Sequence, residues 1–240
     1  MPLEKGSLIL VNYTARVKDT GEVIETTIEE DAKKGNIYDP NRVYEPRLLA
    51  VGEGWILKGV DEALLNANVG DNLTIEVPPS KAFGNWDQKK VKMIPLRRLG
   101  DKAEEVKVGD AIEMDNKIGI VRFIGSGRVQ IDFNHKLAGK TLEYSLQILK
   151  KLEDDEEKIK ALIRRRLPIE EDKLKFVRED DKLDIEIPNE YVLQEGLQII
   201  KRAIANDILR YVGSINKIRF IESYEREVKE EKEESVAKKE

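Results

Sequence analysis

The sequence has no cysteine and a single histidine. Disulfides and thiolate metal sites are therefore excluded. It also lacks a serine-nucleophile elbow and a glycine-rich phosphate loop, so neither acyl-enzyme chemistry nor nucleotide hydrolysis has its usual machinery. No apolar run approaches a membrane span, and the opening Met1-Pro-Leu-Glu-Lys5 lacks the features of a signal peptide. A soluble, cytoplasmic chain without membrane contact is expected. The formal net charge of -5 argues against nucleic acid as the main partner. Internal repeats are absent as well.

What is present is charge, at 37% of residues, spread over 240 positions. That length favours two or three units with a sizeable core. The chain is organised around Val51-Gly-Glu-Gly-Trp-Ile-Leu-Lys-Gly59, where three glycines bracket the apolar triplet Trp55-Ile56-Leu57. Glycine allows sharp turns and close approach to a ligand. The triplet is thus either a pocket floor or a loop feeding a core helix.

Around it, residues 7–17 and 22–27 are β-rich and separated by the turn Asp19-Thr-Gly21. Residues 31–46 contain Gly35, Pro40 and Pro46 and are expected to be a loop or bulge. A short helix over 61–68 buries Ala63, Leu64 and Ala67, and 72–77 alternates as a strand. From Trp86 onward come four short strands, near 91–96, 110–114, 118–124 and 129–133, with hairpin turns at Asp115-Asn116 and Gly125-Ser-Gly127. A strand over 141–149 follows. Beyond an acidic linker at 153–157, a helix spans 158–166 and strands cover 174–177 and 183–187. Asn189 is placed to cap a long helix carrying Leu193, Leu197, Ile200, Ile204 and Ile208. A last strand covers 215–221, and the charge-dense residues 229–240 have nothing to bury.

The order Val-x-Tyr-Thr, Asp-x-Gly, Glu-Thr-Thr, Val-Gly-x-Gly-x-Ile-x-x-Gly and Ala-Phe-Gly resembles the FKBP-type peptidyl-prolyl isomerases. Asn134-His-x-Leu-Ala-Gly-Lys140 with Leu142-x-Tyr144 looks like the SlyD-like branch, which carries a domain inserted in its flap. The extra C-terminal unit is similar to that of long archaeal members. The resemblance covers residues 5 to 150 and implies an α+β fold. An antiparallel sheet would wrap a short helix (1–86 and 135–152), with a small all-β insert (87–134), a separate α+β C-terminal domain (153–228) and a charged tail (229–240).

The chemistry this implies needs no nucleophile, base, metal or cofactor. Amide resonance sets a barrier of about 18–20 kcal/mol to rotation. The twisted X–Pro transition state is less polar at oxygen, so a dry pocket favours it. By the resemblance, Tyr13, Glu25, Leu49, Ile56, Leu57, Phe83 and Tyr144 line that pocket. A backbone N–H at Ile56 or Leu57 would donate to the substrate carbonyl, and Tyr13 would bond the Glu25 carboxylate. Read without the motif order, the same aromatics are ordinary core. Glu25 stands where aspartate is usual, Phe83 where many members have tyrosine, and Val60 at the usual pocket-floor tryptophan. A non-catalytic holdase with the same fold is therefore the alternative.

Within the insert, Ile94, Leu96, Ile120, Phe123 and Ile131 are candidates for gripping unfolded chain, although at least half are expected in the insert's own core. His135 is expected to make a turn hydrogen bond rather than act as a base. The partners implied are unfolded or nascent proline-containing polypeptides. A homodimer through the apolar helix of the C-terminal unit is also expected.

Overall fold

The computed structural model describes residues 2–224; the tail over 229–240 lies outside them. The chain divides between Lys151 and Leu152 into two compact units.

The first unit is built on an antiparallel sheet. Its strands β1 (Leu8–Val17), β2 (Val23–Thr26), β3 (Arg47–Ala50), β4 (Asn72–Val77) and β9 (Leu142–Lys151) run in the order β2-β1-β9-β4, with β3 also paired to β1. β1 is central, and most of its residues are buried on either face. β9 alternates cleanly, so Leu142, Tyr144, Leu146 and Ile148 point inward. Against that face packs the helix α2 (Lys58–Leu64), which buries Val60 and Leu64. Burying such aliphatic side chains contributes roughly 1.5–3 kcal/mol each.

The stretch expected to be an open loop contains a helix, α1 (Glu29–Lys34), and ends in β3. Three acids in the first turn and two lysines in the last complement the helix dipole, and Ala32 is fully buried. Buried threonines join this segment to β1: Thr14 Oγ1 and Thr26 Oγ1 lie 2.8 Å apart, and Tyr13 N donates to Thr27 Oγ1 at 2.9 Å.

Between β4 and β9 the insert forms its own four-stranded sheet. Strands β5 (Val91–Pro95), β6 (Ala111–Met114), β7 (Lys117–Gly125) and β8 (Arg128–Asp132) run in the order β5-β8-β7-β6. Both expected hairpin turns are present. Asp115, Asn116, Ser126 and Gly127 all have positive φ, as two-residue turns matching strand twist require. The two ends of the insert are clasped at a neck, where Asp87 N donates to Asn134 Oδ1 (3.0 Å) and Asn134 Nδ2 donates to Asp87 O (2.9 Å).

The second unit has helices α3 (Asp155–Arg166), α4 (Asn189–Val192) and α5 (Leu197–Tyr211). They accompany a sheet of β10 (Phe176–Glu179), β11 (Lys182–Ile187) and β12 (Lys217–Glu222). β11 and β12 are parallel, joined through α4 and α5. Two expectations are corrected here. The acidic run is no linker: Asp154 caps α3 by accepting from Glu157 N at 3.0 Å, and Asp155, Glu156 and Glu157 form its first turn. Asn189 begins a single turn rather than a long helix. Gly196, at φ 77°, separates α4 from α5, and Leu193 is 95% exposed. Arg165 and Arg166 both reach Asp207 on α5, at 3.5 and 2.9 Å. The rest of the apolar stripe holds, with Leu197, Ile204 and Ile208 buried. Among the described residues, no helix is long and apolar enough to cross a membrane.

Candidate functional site

Strand register assembles the site. In β1, Ala15 pairs with Glu25 of β2 on one side and Tyr144 of β9 on the other; Tyr144 in turn faces Ile75 of β4. Directly opposed residues share a face, so these four side chains form one row across the sheet. Tyr13, two residues from Ala15, lies on the same face, as does Leu49 through its pairing with Ile9. Ala15 contributes only a methyl between its larger neighbours. The Tyr13 and Tyr144 rings meet at 5.6 Å with a 36° tilt.

Above this row lies the glycine-bracketed loop. Gly52 and Gly54 both have positive φ, and their N–H groups donate to the two carboxylate oxygens of Asp61, each at 2.8 Å. Asp61, buried on α2, thereby fixes the loop that carries Trp55, Ile56 and Leu57, all three of which pack on the core half-buried. The backbone N–H groups of Ile56 and Leu57 have no partner among the described residues. The Tyr144 hydroxyl has none either. Trp55 thus belongs to the floor's support, and Val60 is fully buried core.

Phe83 follows a 3₁₀ turn over Pro79–Lys81 and stays 37% exposed at the edge. It is stacked on His135, with centroids 4.3 Å apart and planes 6° from parallel. His135 makes the expected turn bond: its Nδ1 accepts Leu137 N at 3.2 Å. That bond places the ring proton on Nε2.

Arg47, which no motif pointed to, joins two of the predicted residues. Its guanidinium donates to the Tyr13 hydroxyl in a short contact and to Glu25 Oε1 at 2.7 Å. Its partners lie 34 and 22 residues away in sequence, so no local signal marks it. Asp61 did leave a trace, an acid seven residues after a Gly-x-Gly and on the buried side of a helix. Desolvation, then the negative Glu25, pushes the Tyr13 phenol up to about 12. Tyr144 is raised further, chiefly by burial and next by Glu25. Both are neutral donors at ordinary pH. Of the seven predicted residues, Tyr13, Leu49 and Tyr144 are buried, while Ile56, Leu57, Glu25 and Phe83 reach solvent.

In the insert, the predicted residues separate. Ile94 (6% exposed) and Ile131 (0%) fall in the insert's core with Ile112, Val121 and Val129, and cannot touch a client. Leu96 is half-buried against that core. Ile120 and Phe123 lie on the other face. Register aligns Met93 with Gln130 and Phe123, and Val91 with Asp132, Ile120 and Ala111. Met93 (45% exposed), Ile118 (69%) and Phe123 (52%) make this outer face apolar. Met93 and Ile118 were missed because a run of β-branched and apolar residues does not say which face is covered.

Comparison with known proteins agrees with this anatomy. Three families match along the chain: FKBP-type peptidyl-prolyl cis-trans isomerase over residues 2–99, the FKBP26 IF domain over 92–137, and the FKBP26 C-terminal region over 155–225. A short-type peptidyl-prolyl cis-trans isomerase of Methanocaldococcus jannaschii is 35% identical over 146 residues, which is 61% of this chain and 92% of that one. The FKBP-type 16 kDa peptidyl-prolyl cis-trans isomerase of Escherichia coli K12 is 26% identical over 151 residues (61% and 92%). The SlyD isomerase of Helicobacter pylori J99 is 27% identical over 146 residues (58% and 76%). The chain therefore belongs to the FKBP-type peptidyl-prolyl cis-trans isomerases, a family of enzymes acting on proline-containing polypeptides.

Proposed function

We propose that the row Tyr13, Glu25, Leu49, Ile56, Leu57, Phe83 and Tyr144 accelerates X–Pro rotation by desolvation, without covalent intermediates. The observation carrying this reading is the set of unpartnered donors, Ile56 N–H, Leu57 N–H and Tyr144 O–H, set among apolar side chains. One of these N–H groups holds a substrate backbone carbonyl other than that of the imide, so the donor positions the chain without favouring the planar ground state. The proline ring rests on Ile56 and Leu57 with Phe83 at its edge. As resonance is lost the imide carbonyl oxygen carries less charge, so leaving water costs the transition state less than the ground state. No bond forms or breaks in the substrate except the partial C–N double bond, which is restored at the end. Arg47 and Arg42 both reach Glu25, so the rim presents no free carboxylate to the proline.

The insert is the polypeptide-binding part, and it does so through Met93, Ile118, Ile120 and Phe123 on its outer face. Unfolded client segments are held there while their prolines sample the site. The C-terminal unit pairs two copies. Ile199 (76% exposed) and Leu209 (43%) on α5 support that reading, and light scattering of the full chain should report twice the monomer mass.

Exchange spectroscopy of an Ala-Leu-Pro-Phe-type peptide tests the catalytic reading. The protein should accelerate cis/trans exchange. Tyr144→Phe should lower kcat/KM by about tenfold, the value of one donor of roughly 1.4 kcal/mol, and Phe83→Ala by less. No acceleration over buffer would leave the holdase, a reading kept open by the missing hydroxyl at Phe83 and the longer acid at Glu25.

A further inference from the structure

On the face of the insert opposite the Met93–Phe123 stripe, a cleft of about 360 Å³ opens between the start of β5 and the turn joining β6 to β7. Met114 and Phe133 form its apolar floor, and Lys89, Lys90, Lys92 and Lys117 surround it, with Asp115 the one acid at the rim. The cleft is built on the neck. Lys89 N donates to the Asp87 carboxylate at 2.8 Å, and Phe133 N donates to Lys90 O at 3.1 Å.

Pairing distinguishes the cleft lysines from several others in the first unit. Lys18, Lys33, Lys58 and Lys81 each sit within 4.0 Å of a carboxylate. Among the described residues, none of the four cleft lysines has an acidic partner within that reach. Four neighbouring cations repel one another unless something negative joins them, in a chain whose formal net charge is -5. The floor is suited to an apolar side chain, methionine being adaptable in shape. Nucleic acid fits less well. The cleft has no arginine fork to grip phosphates, and its lining offers one aromatic ring, Phe133, rather than the succession of stacking platforms a single strand uses.

We propose that this cleft binds acidic polypeptide segments, seating an apolar side chain on Met114 and Phe133 while flanking Glu or Asp carboxylates meet Lys89, Lys90, Lys92 and Lys117. The inference rests on the insert being the polypeptide-binding domain and names a class of client for it. Segments rich in acid and aliphatic residues are retained beside the neck strands that lead to Phe83 and His135.

Fluorescence anisotropy on the full chain tests this with two labelled unfolded peptides, one with Glu around a central Leu-Phe pair and one with Gln in place of every Glu. A single-stranded oligonucleotide of similar charge is the third probe. The Glu peptide should bind about fivefold or more tightly than its Gln counterpart at low salt, and the advantage should shrink in high salt. The triple variant Lys89→Gln, Lys92→Gln, Lys117→Gln should abolish that advantage and leave binding of the Gln peptide unchanged. The unchanged Gln binding also reports an intact fold. Equal affinity for the two peptides, or a preference that survives in the variant, overturns the proposal, as does tighter binding of the oligonucleotide. If only the Glu peptide binds and the variant loses it, the cleft stands while the apolar client face falls. If neither peptide binds, both readings fall.

Discussion

The isomerase sheet and the insert sheet are made from the same kinds of residue but use them differently. In the isomerase part, five strands close over α2, so one face of the sheet is buried beneath a helix and a loop. Its polar groups are settled by partners outside their own elements: Asp61 by two glycine N–H groups, and both Glu25 and Tyr13 by Arg47. The insert has four strands and no α-helix to cover them. It can bury only one face, around Val121, Val129 and Ile131, and leaves Met93, Ile118 and Phe123 in water. Phe123 leans over Gly125, where an added Cβ would lie 2.7 Å from the ring, so the exposed aromatic covers a side-chain-free position. A closed sheet with internal partners makes a fixed site, and an open one makes an adaptable surface.

Removing the insert gives the sharpest break in that comparison. With 87–134 replaced by a short linker, catalysed refolding of a proline-limited protein should fall by about tenfold or more, since tethering to the client is lost. Exchange in a short peptide should change by less than about twofold. Equal losses would show that the two regions do not divide the work.

A smaller effect separates buried polar from exposed apolar groups. Asp61→Ala strands two backbone donors and should lower unfolding free energy by about 2 kcal/mol in urea titration, whereas Phe123→Ser should cost less than about 0.5 kcal/mol. Similar losses at the two positions would mean the insert's outer face is part of a core after all.

The smallest effect is in alkali. Tyr13 titrates near 10.0 when unfolded and about 12 when folded, so the native state keeps a proton that the unfolded chain has lost. Its contribution is fully present below pH 10 and declines as pH rises toward about 12; Tyr144, shifted the same way, adds to it. Tyr13→Phe should flatten the fall in stability over that interval. An unchanged slope would place the loss elsewhere.

Much of the site could be read from local pattern. The family resemblance put Tyr144 in the pocket, and the alternation of Leu142–Lys151 accords with it; the glycines around Trp55-Ile56-Leu57 marked either a pocket floor or a loop feeding a helix, and paired turn residues marked both hairpins of the insert. Periodicity failed where two structures share one pattern. The acids at 154–157 served equally as a linker or a first helical turn, and the run 189–208 read as one helix until Gly196 adopted positive φ.

The sequence by itself determined which residues are apolar, where the chain must turn, and the order of motifs that marks the family, because these depend on side-chain chemistry and backbone freedom over a few neighbours. Only the tertiary structure decided that Arg47 holds Tyr13 and Glu25, that Asp61 closes the glycine loop, that Ile94 and Ile131 are core while Met93 and Ile118 are surface, and that four lysines gather at the neck. Each of these rests on strand register or on contacts between distant segments, and a one-residue change in register would turn every side chain to the other face.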